Sequence, residues 1–222
     1  CYDDVLLIPQ YSDIRSRSEV NISANLDEKI KLTLPIISSP MDTVTGTDMA
    51  IAMGKAGGAA VIHRYNSIEE QCELAINAIR KGTQDSTVYV GAAVGVTGDF
   101  LERAQALANV GVSFLCVDVA HGHHVSVKEA IEKIKSNSDI HVMAGNIATK
   151  QAFKDLSSWG ADSVRCNIGG GSACTTRIQT GHGVPGLQTI IDCAKIEGFR
   201  ISGKKRTKVI ADGGIRSSGD IV

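Results

Sequence analysis

The chain has 222 residues, with 23 Lys and Arg against 24 Asp and Glu, a net charge of −1. That mixed balance offers no basic face for nucleic acid and no charge block of a disordered tail, and no apolar run approaches membrane-spanning length. The length suits one domain with a substantial core. The six cysteines (Cys1, Cys72, Cys116, Cys166, Cys174, Cys193) form neither a Cys-x-x-Cys pair nor a disulfide-like framework, which points to a reducing, cytoplasmic setting.

Residues 1–33 read as an extended N-terminal arm without helical periodicity. Residues 34–38 form the first short apolar run, ending in Ser39-Pro40-Met41-Asp42. A helix is expected from about Thr47, with Met49, Ala50, Met53 and Ala56 as its apolar positions and Gly57-Gly58 as its stop. Residues 59–62 read as a second strand. Ser67-x-x-Glu70 reads as a capping box opening a helix that runs to about Lys81. The third to seventh strands fall at 88–94, 114–117, 141–144, 163–166 and 209–211. The helices between them fall near 98–109, 125–135, 150–159 and 187–199.

Strand and helix alternate at a repeat of roughly 25–40 residues, which implies parallel strands joined by crossover helices. Seven such units exceed a small doubly wound sheet, and no Gly-x-Gly-x-x-Gly follows the first strand. The pattern therefore predicts an α/β fold, a (β/α)8 TIM barrel, with residues 1–222 as a single barrel domain that is incomplete after strand seven. Two open strand edges would leave such a piece poorly stable alone. Ser39, His63, Asp118, Asn146, Cys174 and Asp212 each follow a strand, so a barrel would gather them at one face.

The most informative stretch is Asn167-Ile168-Gly169-Gly170-Gly171-Ser172-Ala173-Cys174-Thr175-Thr176-Arg177. Three glycines let the backbone turn tightly and approach a ligand, and freed N–H groups suit a phosphate. A thiol near a cation and backbone donors is lowered in pKa and made nucleophilic. On local chemistry alone, a glycine-rich surface turn with an incidental cysteine is the alternative. Asp212-Gly213-Gly214 joins a carboxylate acceptor to a second phosphate-permissive turn, against the alternative of an ordinary Asp-Gly turn. Asp118 is either a site carboxylate or a helix cap. His121, His123 and His124 lack the carboxylate or cysteine support of a zinc site and read as a polar rim.

The cysteine loop resembles the active-site loop of the IMP dehydrogenase and GMP reductase family, usually Gly-Pro-Gly-Ser-Ile-Cys-Thr-Thr-Arg. The resemblance continues through Tyr2-Asp3-Asp4-Val5-Leu6-Leu7, Ser39-Pro40-Met41-Asp42-Thr43-Val44, Ala144-Gly145-Asn146 and Ala211-Asp212-Gly213-Gly214-Ile215-Arg216. It implies Cys174 as the nucleophile and Thr176 as the hydroxyl beside the reacting centre. It implies a purine nucleotide monophosphate held by Ser39, Met41, Ser172, Asp212, Gly213 and Gly214. Asp118 matches an aspartate that contacts the nicotinamide riboside of NAD, Asn146 lies at the same rim, and Arg165 matches a basic residue before the loop. Gly169, Gly171 and Cys174 match positions whose carbonyls hold a potassium ion.

Matches such as Ala120-His121-Gly122-His123 and Gly183-Val184-Pro185 resemble the dehydrogenase branch, which oxidises IMP to XMP in guanine nucleotide biosynthesis. Ser16-Arg17-Ser18-Glu19-Val20 and Val119 lean to the reductase, which converts GMP to IMP with NADPH. A nucleotide-binding homologue without turnover is a reading of a different class. The stretch from Arg80 to Val88 has no room for the regulatory CBS modules many dehydrogenases insert near it. The family is usually homotetrameric. Four departures stand out: Asn167 for the usual glycine, Gly170 for proline, Ala173 for a larger aliphatic and Gly186 for glutamine. They imply a looser loop, with altered cation affinity and nicotinamide packing.

Overall fold

A computed structural model describes residues 2–82, 88–197 and 206–222. Its main sheet has seven parallel strands: β3 (Ile37–Ser38), β4 (Ala59–Ile62), β5 (Tyr89–Val94), β6 (Phe114–Asp118), β7 (His141–Ile147), β8 (Ser163–Cys166) and β9 (Lys208–Ala211). Each pairs with the next in sequential order, so β3 and β9 have one neighbour apiece among the described residues. The crossovers carry α1 (Thr47–Lys55), α2 (Ile68–Gly82), α3 (Phe100–Asn109), α4 (Val125–Asn137), α5 (Lys150–Trp159), α6 (Thr176–Thr180) and α7 (Gly186–Glu197), and α8 (Ser218–Ile221) follows β9. This is the arc of a (β/α)8 barrel, with seven of its strands. None of the described helices is long and apolar enough to cross a membrane.

Local chemistry sets the element ends. The capping box at α2 forms reciprocally: Glu70 N donates to Ser67 Oγ at 3.1 Å and Ser67 N to a Glu70 carboxylate oxygen at 3.0 Å. Thr149 caps α5 by accepting from Ala152 N. His124 caps α4 by accepting from Ser126 N, so Asp118 is not the cap of the helix that follows it. The first strand is shorter than the apolar run 34–38 suggests. Pro35 has no N–H to give to a ladder, and Leu34 N instead donates to Gly57 O. The end expected for α7, near 199, lies outside the described residues.

Strand residues alternate between two cores. Outward positions such as Ala60, Ile62, Leu115, Val117, Val142, Ala144 and Val164 pack with helix residues Ala75, Leu107, Ile131, Phe153 and Leu156. Inward positions Ala59, Val61, Ala93, Phe114, Cys116 and Met143 fill the barrel with Leu26, Ile30 and Leu32. Those last three correct the reading of residues 1–33 as an extended arm. β1 (Ala24–Asn25) and β2 (Lys31–Leu32) form an antiparallel hairpin, and 3-10 turns occur at Tyr2–Asp4 and Arg17–Glu19. The buried side chains in and around the hairpin stop the N-terminal end of the barrel, while Leu6, Leu7, Ile8 and Tyr11 stay exposed. Periodicity missed the hairpin because its strands have only two residues each.

A polar bracket pins the hairpin. Asp27 accepts from Ile30 N and Lys29 N, and its other oxygen lies 2.7 Å from His141 Nδ1 at the start of β7. His141 Nε2 is 2.8 Å from Ser163 Oγ at the start of β8. Ser163 has no solvent access, so this aspartate–histidine–serine row binds elements together and meets no substrate.

Candidate active site

Period-two alternation carries the inward face of each strand to its C-terminal end. Phe114, Cys116 and Asp118 share that face on β6, as do Ser163 and Arg165 on β8, with Asn167 next in step. At the barrel mouth Arg165 is buried, with Nη1 2.6 Å from Asp118 Oδ1 and Nη2 2.9 Å from Asp212 Oδ2. Burial alone would lower its pKa, but its acidic neighbours raise it. Burial pushes the Cys116 thiol up to about 12, so it is protonated at neutral pH and the two carboxylates are the counter-charges. Arg165, expected among cofactor contacts, is the tie between β6, β8 and the turn after β9.

Asn146 completes this layer. Its Nδ2 donates to Asn167 O at 2.9 Å and to Asp212 Oδ2. Asp212 Oδ2 therefore serves two protein donors, and Oδ1 is the oxygen left for a ligand hydroxyl. The next two residues fold back on the glycine loop: a Cβ on Gly213 would lie 3.1 Å from Gly171 Cα, and one on Gly214 3.1 Å from Gly170 O. The two glycine turns thus stack backbone to backbone.

Cys174 is exposed at the loop tip. Its N–H donates to Gly171 O at 3.0 Å, and its Sγ lies 3.2 Å from Thr176 Oγ1. The Thr176 hydroxyl, then the Thr176 N–H and the Arg177 charge, lower the Cys174 pKa against the opposing effects of burial and Asp212. An exposed thiol with stabilised thiolate is competent to attack an electrophilic carbon. Arg177 turns back beneath it, donating from Nε to Ile168 O at 2.9 Å and from Nη2 to Val184 O at 2.7 Å. The base of the loop is therefore cross-linked, contrary to the looser loop its departures imply.

Ser39 and Met41 sit just past β3, where Ser39 O accepts from Thr45 Oγ1 and Met41 N. Ser172 is exposed beside Cys174. These three share the barrel mouth through topology alone. His123 is held off the centre, 2.8 Å from Asp155 and stacked on Trp159.

Five buried side-chain polar atoms lack partners among the described residues: Tyr2 Oη, Ser38 Oγ, Arg64 Nε, Asn66 Oδ1 and Asn146 Oδ1. Ser38, Arg64, Asn66 and Asn146 lie at or just beyond strand C-terminal ends, and Tyr2 borders Gly214. Native proteins satisfy nearly all such groups, so this face is the candidate for a polar ligand. Asn167 and the structural role of Arg165 escaped sequence reasoning. The available signal was parity: positions 163, 165 and 167 face the same way.

The family model described as IMP dehydrogenase / GMP reductase domain matches residues 1–222. An inosine-5'-monophosphate dehydrogenase of Borreliella burgdorferi is 37% identical over 267 residues, covering 100% of this chain and 65% of that protein. A GMP reductase of Leishmania major is 29% identical over 351 residues, covering 99% of this chain and 70% of that protein. The crystal structure of inosine 5' monophosphate dehydrogenase from Legionella pneumophila superposes with a TM-score of 0.85 at 40% identity, over 99% of this chain and 64% of that one. The chain thus spans about two thirds of the length of these relatives.

Proposed function

The chain belongs to the IMP dehydrogenase / GMP reductase family, and on that premise we propose that it oxidises IMP to XMP with NAD through a covalent adduct on Cys174. The observation that carries the reading is the exposed Cys174 thiol, its pKa lowered by Thr176, on a loop that stacks against the Asp212-Gly213-Gly214 turn.

The thiolate attacks C2 of the hypoxanthine ring, forming an S–C2 bond, and the hydrogen on C2 leaves as hydride. NAD, when bound, supplies the hydride acceptor. Water then adds to C2 of the thioimidate and gives up a proton to solvent; the C–S bond breaks, its electrons return to sulfur as thiolate, and XMP departs. The Thr176 hydroxyl donates to the thiolate before attack and after release. Asp212 Oδ1 accepts from the ribose, and the N–H groups of the stacked glycine turns face the 5′-phosphate. Ser39, Met41 and Ser172 border the nucleotide.

The residues fit a nicotinamide cofactor in one respect: Asn146 Oδ1 is a buried acceptor without a donor among the described residues, suited to a carboxamide or ribose hydroxyl. The remaining oxygen of Asp118 offers a second acceptor, with Arg165 holding the first. For potassium, the carbonyls of Gly169, Gly171 and Cys174 are the proposed ligands. Gly171 O already accepts from Cys174 N, which leaves its second lone pair. A cytoplasmic homotetramer completes the proposal.

The Leishmania relative favours one second reading, reductive deamination of GMP with NADPH on the same thiol. The deciding experiment offers the full-length protein IMP plus NAD, then GMP plus NADPH, each with and without potassium. NADH formation in the first mixture is expected. Ammonia release with NADPH consumption in the second would instead assign the reductase.

A further inference from the structure

Asn167 stands at the head of the nucleophile loop with φ of +125°, the one non-glycine residue with positive φ among those described. A side chain there strains the backbone, so its contacts must hold it in place. Its Nδ2 donates to Asp212 O at 2.8 Å and approaches Gly213 O at 3.4 Å. Its Oδ1 accepts from Arg177 Nη2 at 3.0 Å. The orientation of the amide is fixed by these partners, because reversing it would face oxygen to two carbonyls and nitrogen to a guanidinium. Its backbone is held as well, with N donating to Ile147 O and O accepting from Asn146.

The amide occupies space that two glycines leave open. A Cβ on Gly170 would lie 2.6 Å from Asn167 Cγ and closer still to Nδ2. A Cβ on Gly186, at the start of α7, would lie 3.1 Å from the same Nδ2. Three of the four departures noted in the sequence thus meet at one side chain. The fourth, Ala173, is exposed and nothing in the structure explains it.

We propose that Asn167 is a positioning residue that locks the Cys174 loop to the nucleotide turn through Asp212, Gly213 and Arg177, with Gly170 required to leave space for its amide and Gly186 packed closely against it. The lock acts through Arg177, which anchors the loop at Ile168 and Val184 and fixes where Thr176 meets the Cys174 sulfur. This inference rests on Cys174 being the reacting thiol.

The test reads amide hydrogen exchange by mass spectrometry in the full-length protein, over peptides covering residues 168–177 and 211–214. Asn167→Gly and Gly170→Ala are each expected to speed exchange in both peptides about tenfold, while peptides covering β5 and β6 keep the rates of the unsubstituted protein. The double variant is expected to exchange no faster than Asn167→Gly alone, because Gly170→Ala acts only by displacing the amide. Unchanged exchange in Asn167→Gly, or equal and additive effects of Gly170→Ala in both backgrounds, would overturn the proposal. Should Asn167→Gly lose its cooperative melt, Gly186→Ala presses on the same amide more gently and must speed exchange in both peptides. No nucleotide enters this assay. Absence of NADH formation by the unsubstituted protein would therefore sink the dehydrogenase reading while these exchange rates still decide the lock.

Discussion

Arg165 on β8 reaches past β7 to bring its guanidinium within 2.6 Å of Asp118 on β6. The strand between them yields at Gly145, where a Cβ would lie 2.7 Å from the Arg165 Cβ. With Asp212 at 2.9 Å on the other side, one buried cation pairs with two carboxylates. Arg165→Leu removes the counter-charge of both, leaving Asp212 only its Asn146 hydrogen bond, and is expected to destabilise the fold by about 3 kcal/mol. Denaturant titration should show a lower midpoint at unchanged slope. A loss below ~1 kcal/mol would mean that the pair contributes little beyond packing.

Cys174 depends on Thr176 for its acidity. The folded thiol ionises below its ordinary value of 9.0, so between the two values the folded protein holds more thiolate than the unfolded chain does. Thr176→Val removes the hydroxyl while keeping the shape. It is expected to raise the pH midpoint of iodoacetamide alkylation and to slow reaction near neutral pH by up to about tenfold. Cys174→Ala should end NADH formation and leave the melting temperature within about 1 °C, because the side chain is exposed.

Gly213→Ala tests the stacking of the two turns. Gly213 has φ of +75°, and the added Cβ would press on Gly171 Cα at 3.1 Å. Calorimetric titration with IMP is expected to show binding weakened about tenfold, equivalent to ~1.4 kcal/mol, since strain and separation of the turns act together. Unchanged affinity would place the phosphate elsewhere.

The hairpin bracket predicts an acid limb. Burial alone would raise the Asp27 pKa, but the N–H groups of Ile30 and Lys29 and the His141 ring bring it below 3.8. A carboxylate depressed on folding contributes stability that is fully present above pH 3.8 and is lost as pH falls through the lower folded value. Asp27→Asn should cost about 1 kcal/mol at neutral pH and flatten the stability profile below pH 4. A parallel, undiminished acid limb in the variant would assign that limb to other carboxylates.

Much of the fold was legible because parallel strands buried on both faces read as short apolar runs, and β4, β8 and α5 fall where those runs do. The hairpin was not, because two-residue strands carry no period and Leu26, Ile30 and Leu32 gain their meaning only from the barrel end they close. The gathering of Asp118 and Asp212 at one face was legible because one ends a strand and the other follows one. The site was misread at Asn167, where a departure from a familiar loop suggested loss of order. A side chain's hydrogen-bonding partners lie on other strands, and no local pattern displays them.

The contrast within the cysteine loop bears on how such a protein diverges. Asn167, Gly170 and Arg177 interlock, so a substitution at one is expected to need matching changes at the others. Ala173 and Thr175, on either side of the thiol, are exposed and stand outside that interlock. A new preference for what approaches the sulfur can arise there by single changes while the base keeps its set.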